Sequence, residues 1–151
     1  MDFSKFNSMV DLDGLKKDIA AAEQDSGQRE YKDVPHGKYE VRISKLELTE
    51  AKRSGNPMVT CWMQVVSDGD YKGQMIFMNQ VVTQGFQIHL ANDFLRSLES
   101  GIDVKFEDFE QYADLLMDIA EEIDGKYEYG LDYGENSKGY NTFRIVDVFE
   151  V

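Results

Sequence analysis

Aromatic and cationic side chains at three places are the residues of this chain best suited to chemistry. Trp62 lies in an alternating, strand-like segment. Lys52 and Arg53 lie in the polar turn before it, and Lys138 and Tyr140 lie in a turn near the end. Exposed rings stack on nucleic-acid bases for about 1–3 kcal/mol per base whatever the sequence, while Lys and Arg neutralise phosphates. These residue types predict binding of single-stranded DNA, and the candidate contacts are Arg42, Lys45, Lys52, Arg53, Trp62, Lys138 and Tyr140.

Signatures of catalysis are weak. His36 lies beside Pro and Gly in a predicted turn, His89 lies in a predicted helix, and Cys61 is the only cysteine, so the spacing of a zinc site is missing. Carboxylates are plentiful, but acid and base roles require environments that separate their pKa values, which sequence does not reveal. We therefore expect no enzymatic activity, no metal and no cofactor.

The charge of the chain supports an alternative. A formal net charge of -13 argues against a uniformly basic nucleic-acid binder. The stretch 107–124 carries carboxylates and no Lys or Arg, and its residues Asp114, Asp118, Glu121 and Glu122 can share one flank of a helix. The alternative function is thus an acidic, DNA-mimicking anti-defence protein that binds and inhibits a host nuclease, and this flank would be its protein-binding site.

The elements that must position these residues follow from hydrophobic periodicity. Residues 38–48 alternate with period two, and a one-residue slip predicts a bulge near Ser44 and Lys45. Two more strands, two amphipathic helices and a final hairpin follow. The pattern predicts a mixed β fold with helices: an OB-like five-stranded barrel of order β-β-β-α-α-β-β. Such barrels bind ligands across strands 2 and 3 and between the first and last hairpin loops.

The predicted domain organisation is an N-terminal helix with a linker over residues 1–30 and the OB-like domain over residues 31–151. A single cysteine in an apolar strand is typical of a reducing compartment, and no signal-like start or long apolar run is present. We therefore expect a cytoplasmic protein that does not bind membranes. A homo-oligomer formed through the N-terminal helix, as in a structural component, is a third option.

Three segments carry a family resemblance: VPHGKYEV at 34–41, KRSGNPM at 52–58 and YKGQMIF at 71–77. The chain resembles, roughly from Val34 to Leu98, a family of bacteriophage proteins catalogued as a domain of unknown function. Members of that family are similar to single-stranded-DNA-binding proteins of phage replication and recombination cassettes. The resemblance implies an OB-like barrel that coats single-stranded DNA in the cytoplasm of a bacterial host, beside phage or host replication and recombination proteins.

Overall fold

Five antiparallel strands and two helices make up the fold of residues 33–151, which are the residues that the computed structural model describes. The predicted N-terminal helix and linker lie outside this range. The strands pair in the order β3-β2-β1-β4-β5. The elements in chain order are β1 (Gly37–Glu50), β2 (Pro57–Val65), β3 (Met75–Val81), α1 (Gly85–Ser97), α2 (Phe109–Ile123), β4 (Tyr127–Glu135) and β5 (Asn141–Glu150).

The predicted bulge in β1 is confirmed, and it decides which side chains share a face. The register steps from Ile43 opposite Met63 to Lys45 opposite Trp62, which leaves Ser44 as the extra residue. Side chains three residues apart point to opposite faces of a regular strand. Because one residue is inserted between them, Arg42 and Lys45 lie on the same outer face.

The inner face of the sheet forms one hydrophobic core with the two helices. Helix α2 contacts β1, and its buried stripe includes Tyr112, Leu116 and Ile119. The Tyr112 hydroxyl donates to Asn92 Oδ1 on α1 at 2.6 Å. The Tyr129 hydroxyl on β4 donates to the Leu98 carbonyl after α1 at 2.8 Å. Both buried hydroxyls therefore have partners, and each joins two elements of the core.

The predicted barrel is wrong, because the sheet is open. The prediction of a five-stranded sheet with two helices holds, but within residues 33–151 no ladder joins β3 to β5. Helix α1 begins soon after β3 ends and also contacts β5, so it bridges the two edges that closure would have paired. Closure depends on strand tilt and stagger around the whole sheet, which hydrophobic alternation within single strands does not encode.

The helices of residues 33–151 are too short and too polar to cross a membrane.

Candidate nucleic-acid interface

The outer face of β2 and β3 is free of charge in an otherwise highly charged protein. Charged residues make up 30% of the chain, yet neither strand contains Asp, Glu, Lys or Arg. Buried Val59, Cys61 and Met63 alternate with the outward residues of β2, as predicted. We call this outer surface the aromatic face, and its side chains are Met58, Thr60, Trp62, Gln64, Met75, Phe77, Asn79 and Val81.

Two exposed rings lie at the centre of the aromatic face. Trp62 is opposite Phe77 in the β2–β3 ladder. The side chains are 37% and 46% exposed, and their ring centroids are 5.5 Å apart in a T-shaped arrangement. Sequence reasoning did not select Phe77, because its strand is apolar on both faces. The signal that could have found it is register, since pairing of β2 with β3 places Phe77 beside Trp62.

Two of the predicted cations border this ring pair from β1. Lys45 Nζ lies 4.3 Å from the centroid of the Trp62 ring and 3.0 Å from Glu47 Oε1. Arg42 Nη2 donates to Gln64 Oε1 at 2.6 Å. Arg42 makes no ion pair within residues 33–151, so its charge is available to a ligand. The structure thus brings Arg42, Lys45 and Trp62 together.

The remaining predicted contacts lie at two hairpin tips near opposite ends of β1. Lys52 and Arg53 follow β1 in the β1–β2 hairpin, and their side chains have no partner in the described part of the chain. At about 3.3 Å per residue, the end of β1 at Glu50 lies about 17 Å along the strand from Lys45.

The second tip is farther away. Lys138 lies in the β4–β5 turn and Tyr140, 68% exposed, immediately precedes β5. That hairpin extends beyond the pairing of Tyr133 with Gly37 at the start of β1. Gly37 is eight residues, or about 26 Å of extended strand, from Lys45. The candidate contacts therefore do not form one compact cluster, and the β1–β2 tip is the nearer extension of the aromatic face.

The predicted acidic flank lies on the solvent side of α2. Asp114, Asp118 and Glu121 are exposed and have no cationic partner within residues 33–151. Glu122 differs, because its Oε1 accepts from Lys126 Nζ at 2.7 Å. The flank surrounds Met117, which is 56% exposed. Since α2 packs on the inner side of the sheet, this flank and the aromatic face belong to separate surfaces.

One family model matches residues 21–124, and its description reads "Protein of unknown function (DUF669)". The chain belongs to the DUF669 family. The match includes β1, β2, β3 and both helices, and it ends before β4. No curated protein matches the chain. The shared part of this DUF669 protein therefore contains the whole aromatic face together with the β1–β2 tip, whereas Lys138 and Tyr140 lie beyond it.

The cysteine and the two histidines of this DUF669 protein are either buried or within hydrogen-bond distance of another side chain. Cys61 is fully buried, and burial raises the pKa of its thiol, which keeps the sulfur protonated. His36 Nε2 lies 2.9 Å from Asn141 Oδ1, and His89 Nε2 lies 3.2 Å from Asp93 Oδ2. Across residues 33–151, no three His, Cys, Asp or Glu side chains are grouped so as to hold a metal ion.

Proposed function

We propose that this DUF669 protein binds single-stranded DNA on the aromatic face, without catalysis. The observation that carries the proposal is the exposed Trp62–Phe77 pair on two strands that lack any charge, bordered by Arg42 and Lys45, in a chain of net charge -13. The two exposed rings contact each other, and contiguous exposed apolar surface is typical of interaction sites.

Stacking supplies the larger share of the expected affinity. Two base–ring stacks at about 1–3 kcal/mol each contribute about 2–6 kcal/mol. The face lacks carboxylates on β2 and β3, so a phosphate beside the rings meets no like charge from those strands. The acidic flank of α2 lies on the other side of the sheet from this face.

The same face favours single strands over duplexes. Bases in a duplex are stacked on each other and present only their edges, whereas a single strand can turn its bases onto protein rings. We therefore propose that the protein coats single-stranded DNA during phage replication or recombination, in the cytoplasm of a bacterial host. Replication or recombination proteins of phage or host would be its partners.

The acidic flank supports a second candidate function, the DNA-mimicking inhibitor of a host nuclease. Asp118 lies four residues from Asp114 and from Glu122, and like charges at this spacing destabilise a helix. The last turn of α2 contains no basic residue to offset the unfavourable helix dipole. The flank thus offers an array of negative charge that a cationic partner could neutralise.

Fluorescence anisotropy with labelled oligothymidine at low salt tests the first function. We expect Trp62→Ala and Phe77→Ala each to weaken binding roughly 5- to 150-fold, which is the loss of one stack. Phe86→Ala is the matched control, because Phe86 is a 69% exposed ring on α1 and does not belong to the aromatic face, so its loss should leave affinity unchanged.

Two results would contradict this function. Equal weakening by all three variants would show that the rings do not form the site. Absence of binding by the wild type at low salt, together with inhibition of a DNA nuclease that is lost in Asp114→Asn/Asp118→Asn, would establish the second function instead.

A further inference from the structure

We infer that Lys45 is a removable cap on the Trp62 ring, that Glu47 holds this cap in place, and that a nucleic-acid phosphate displaces it. The inference rests on the proposed function, since it concerns how the same site opens to a base.

The cap is visible in the contacts of one ammonium group. Lys45 Nζ lies 4.3 Å from the Trp62 ring centroid, a distance at which a cation is attracted by the face of the ring. The same nitrogen lies 3.0 Å from Glu47 Oε1. Glu47 follows Lys45 by two residues, so both side chains stand on the outer face of β1.

A stacked base requires the space that this ammonium occupies. Carbon atoms in contact are about 3.5–4.0 Å apart, so a base lying on the ring cannot share that face with Lys45 Nζ at 4.3 Å. Trp62 has Phe77 from β3 as its other neighbour, with the two ring planes at 87°. The ring therefore stands between Lys45 and Phe77, and stacking on its capped face begins with movement of Lys45.

We expect a phosphate of the bound strand to displace the Lys45 ammonium from the Trp62 ring. Exposed ion pairs and exposed cation–π contacts are both weak, and Lys45 and Glu47 retain 36% and 41% of their side-chain exposure. A phosphate oxygen offers the ammonium a charge-assisted hydrogen bond. The flexible stem of Lys45 allows the nitrogen to leave the ring and follow the phosphate. One movement thus exposes the stacking surface and neutralises the backbone of the bound strand.

Glu47 is then a positioning residue. The effect of its contact with Lys45 can be separated from the effect of its negative charge by a control at another carboxylate. Glu47→Gln removes the anchor of Lys45. Glu40→Gln is the matched control, because Glu40 is an exposed carboxylate on the same face of β1 that makes no ion pair within residues 33–151. Both substitutions change the net charge equally, and both sites are exposed enough to leave the fold intact.

The experiment uses the full chain and two measurements. Trp62 is the only tryptophan, so quenching of its emission by neutral acrylamide reports on this ring alone. Without DNA, we expect Glu47→Gln and Lys45→Ala to raise the quenching constant and Glu40→Gln to leave it unchanged. With oligothymidine, we expect Glu47→Gln to bind about 2- to 5-fold more tightly than Glu40→Gln, the loss of one surface ion pair.

The outcomes separate the cap from the proposed function. Normal oligothymidine binding with no difference between Glu47→Gln and Glu40→Gln, in quenching or in affinity, overturns the cap and leaves the DNA-binding site intact. Failure of the wild type and every variant to bind oligothymidine overturns the proposed function, and the displacement step is overturned with it.

Discussion

The path of a bound strand determines how steeply affinity falls with salt, and the hairpin tip carrying Lys52 and Arg53 is the place to test it. This tip extends the end of β1 that lies nearer to Trp62, about 17 Å of strand beyond Lys45. Neither side chain has a partner in the described part of the chain. If the bound strand runs from the ring pair toward this tip, Lys52→Ala/Arg53→Ala removes two phosphate contacts and leaves both stacks in place.

The magnitude follows from counting cations along that path. Arg42, Lys45, Lys52 and Arg53 make four, and each phosphate neutralised on a single strand contributes about -0.7 to the slope of log affinity against log salt. The wild type should therefore show a slope near -2.8 and the double variant a slope near -1.4. Between 50 and 200 mM salt, affinity should fall about 50-fold for the wild type and about 7-fold for the variant.

Anisotropy titrations of labelled oligothymidine at several salt concentrations across this range measure both slopes. Lys105→Ala/Lys126→Ala is the control, because it removes the same charge from two exposed lysines outside the sheet face, which pair with Glu107 and Glu122. Its slope should match the wild type. An unchanged slope in Lys52→Ala/Arg53→Ala would refute the proposed path, and a slope reduced equally in both double variants would show that only net charge matters.

Two further predictions concern stability. Burial raises the pKa of Tyr112 to about 12, so its phenol stays protonated in the folded chain where the unfolded chain ionises near pH 10. The free energy of unfolding should therefore fall with rising pH between these values, by about 1.4 kcal/mol per pH unit from this group, and urea unfolding at pH 9 and 11 should show a smaller fall for Tyr112→Phe. Asp118→Lys should stabilise α2 by about 0.5–1 kcal/mol in low-salt thermal melts, since it replaces repulsions with Asp114 and Glu122 by attractions. If the free energy of unfolding falls as much with pH in Tyr112→Phe as in the wild type, burial of this phenol is not the cause. If the stability gained in Asp118→Lys persists at high salt, charge repulsion within α2 is not its cause.

Features that depend on neighbouring residues along the chain could be predicted from the sequence. Apolar residues occupy odd positions up to Ile43 and even positions from Leu46. This change indicated the bulge, because successive side chains of a strand point to opposite faces. The sequence also predicted that α2 ends at Gly125. Its φ of 71° lies in the left-handed region that glycine adopts without a steric cost, just after the last helical residue Ile123.

Features that depend on contacts between distant segments could not be predicted as well. An apolar run bounded by turns indicated β3 and alternation indicated β5, yet neither pattern says whether the free edges of these strands meet. Phe77 was missed because an apolar strand gives no sign of which side faces water until its register with β2 is known. The separation of the two hairpin tips follows from the antiparallel pairing of β1 with β4, which places the β4–β5 turn at the start of β1.

The net charge of -13 is compatible with the proposed function when phosphate neutralisation and base stacking are considered separately. Non-specific binding to duplex DNA comes almost entirely from phosphate neutralisation, and the negative net charge of the protein opposes that term. Stacking on Trp62 and Phe77 does not depend on net charge, but it requires bases that have left the duplex. If the proposed function is right, an acidic chain with an uncharged aromatic face should bind single strands more tightly than duplexes. On this reasoning, the excess of carboxylates elsewhere on the protein sharpens the preference for single-stranded DNA.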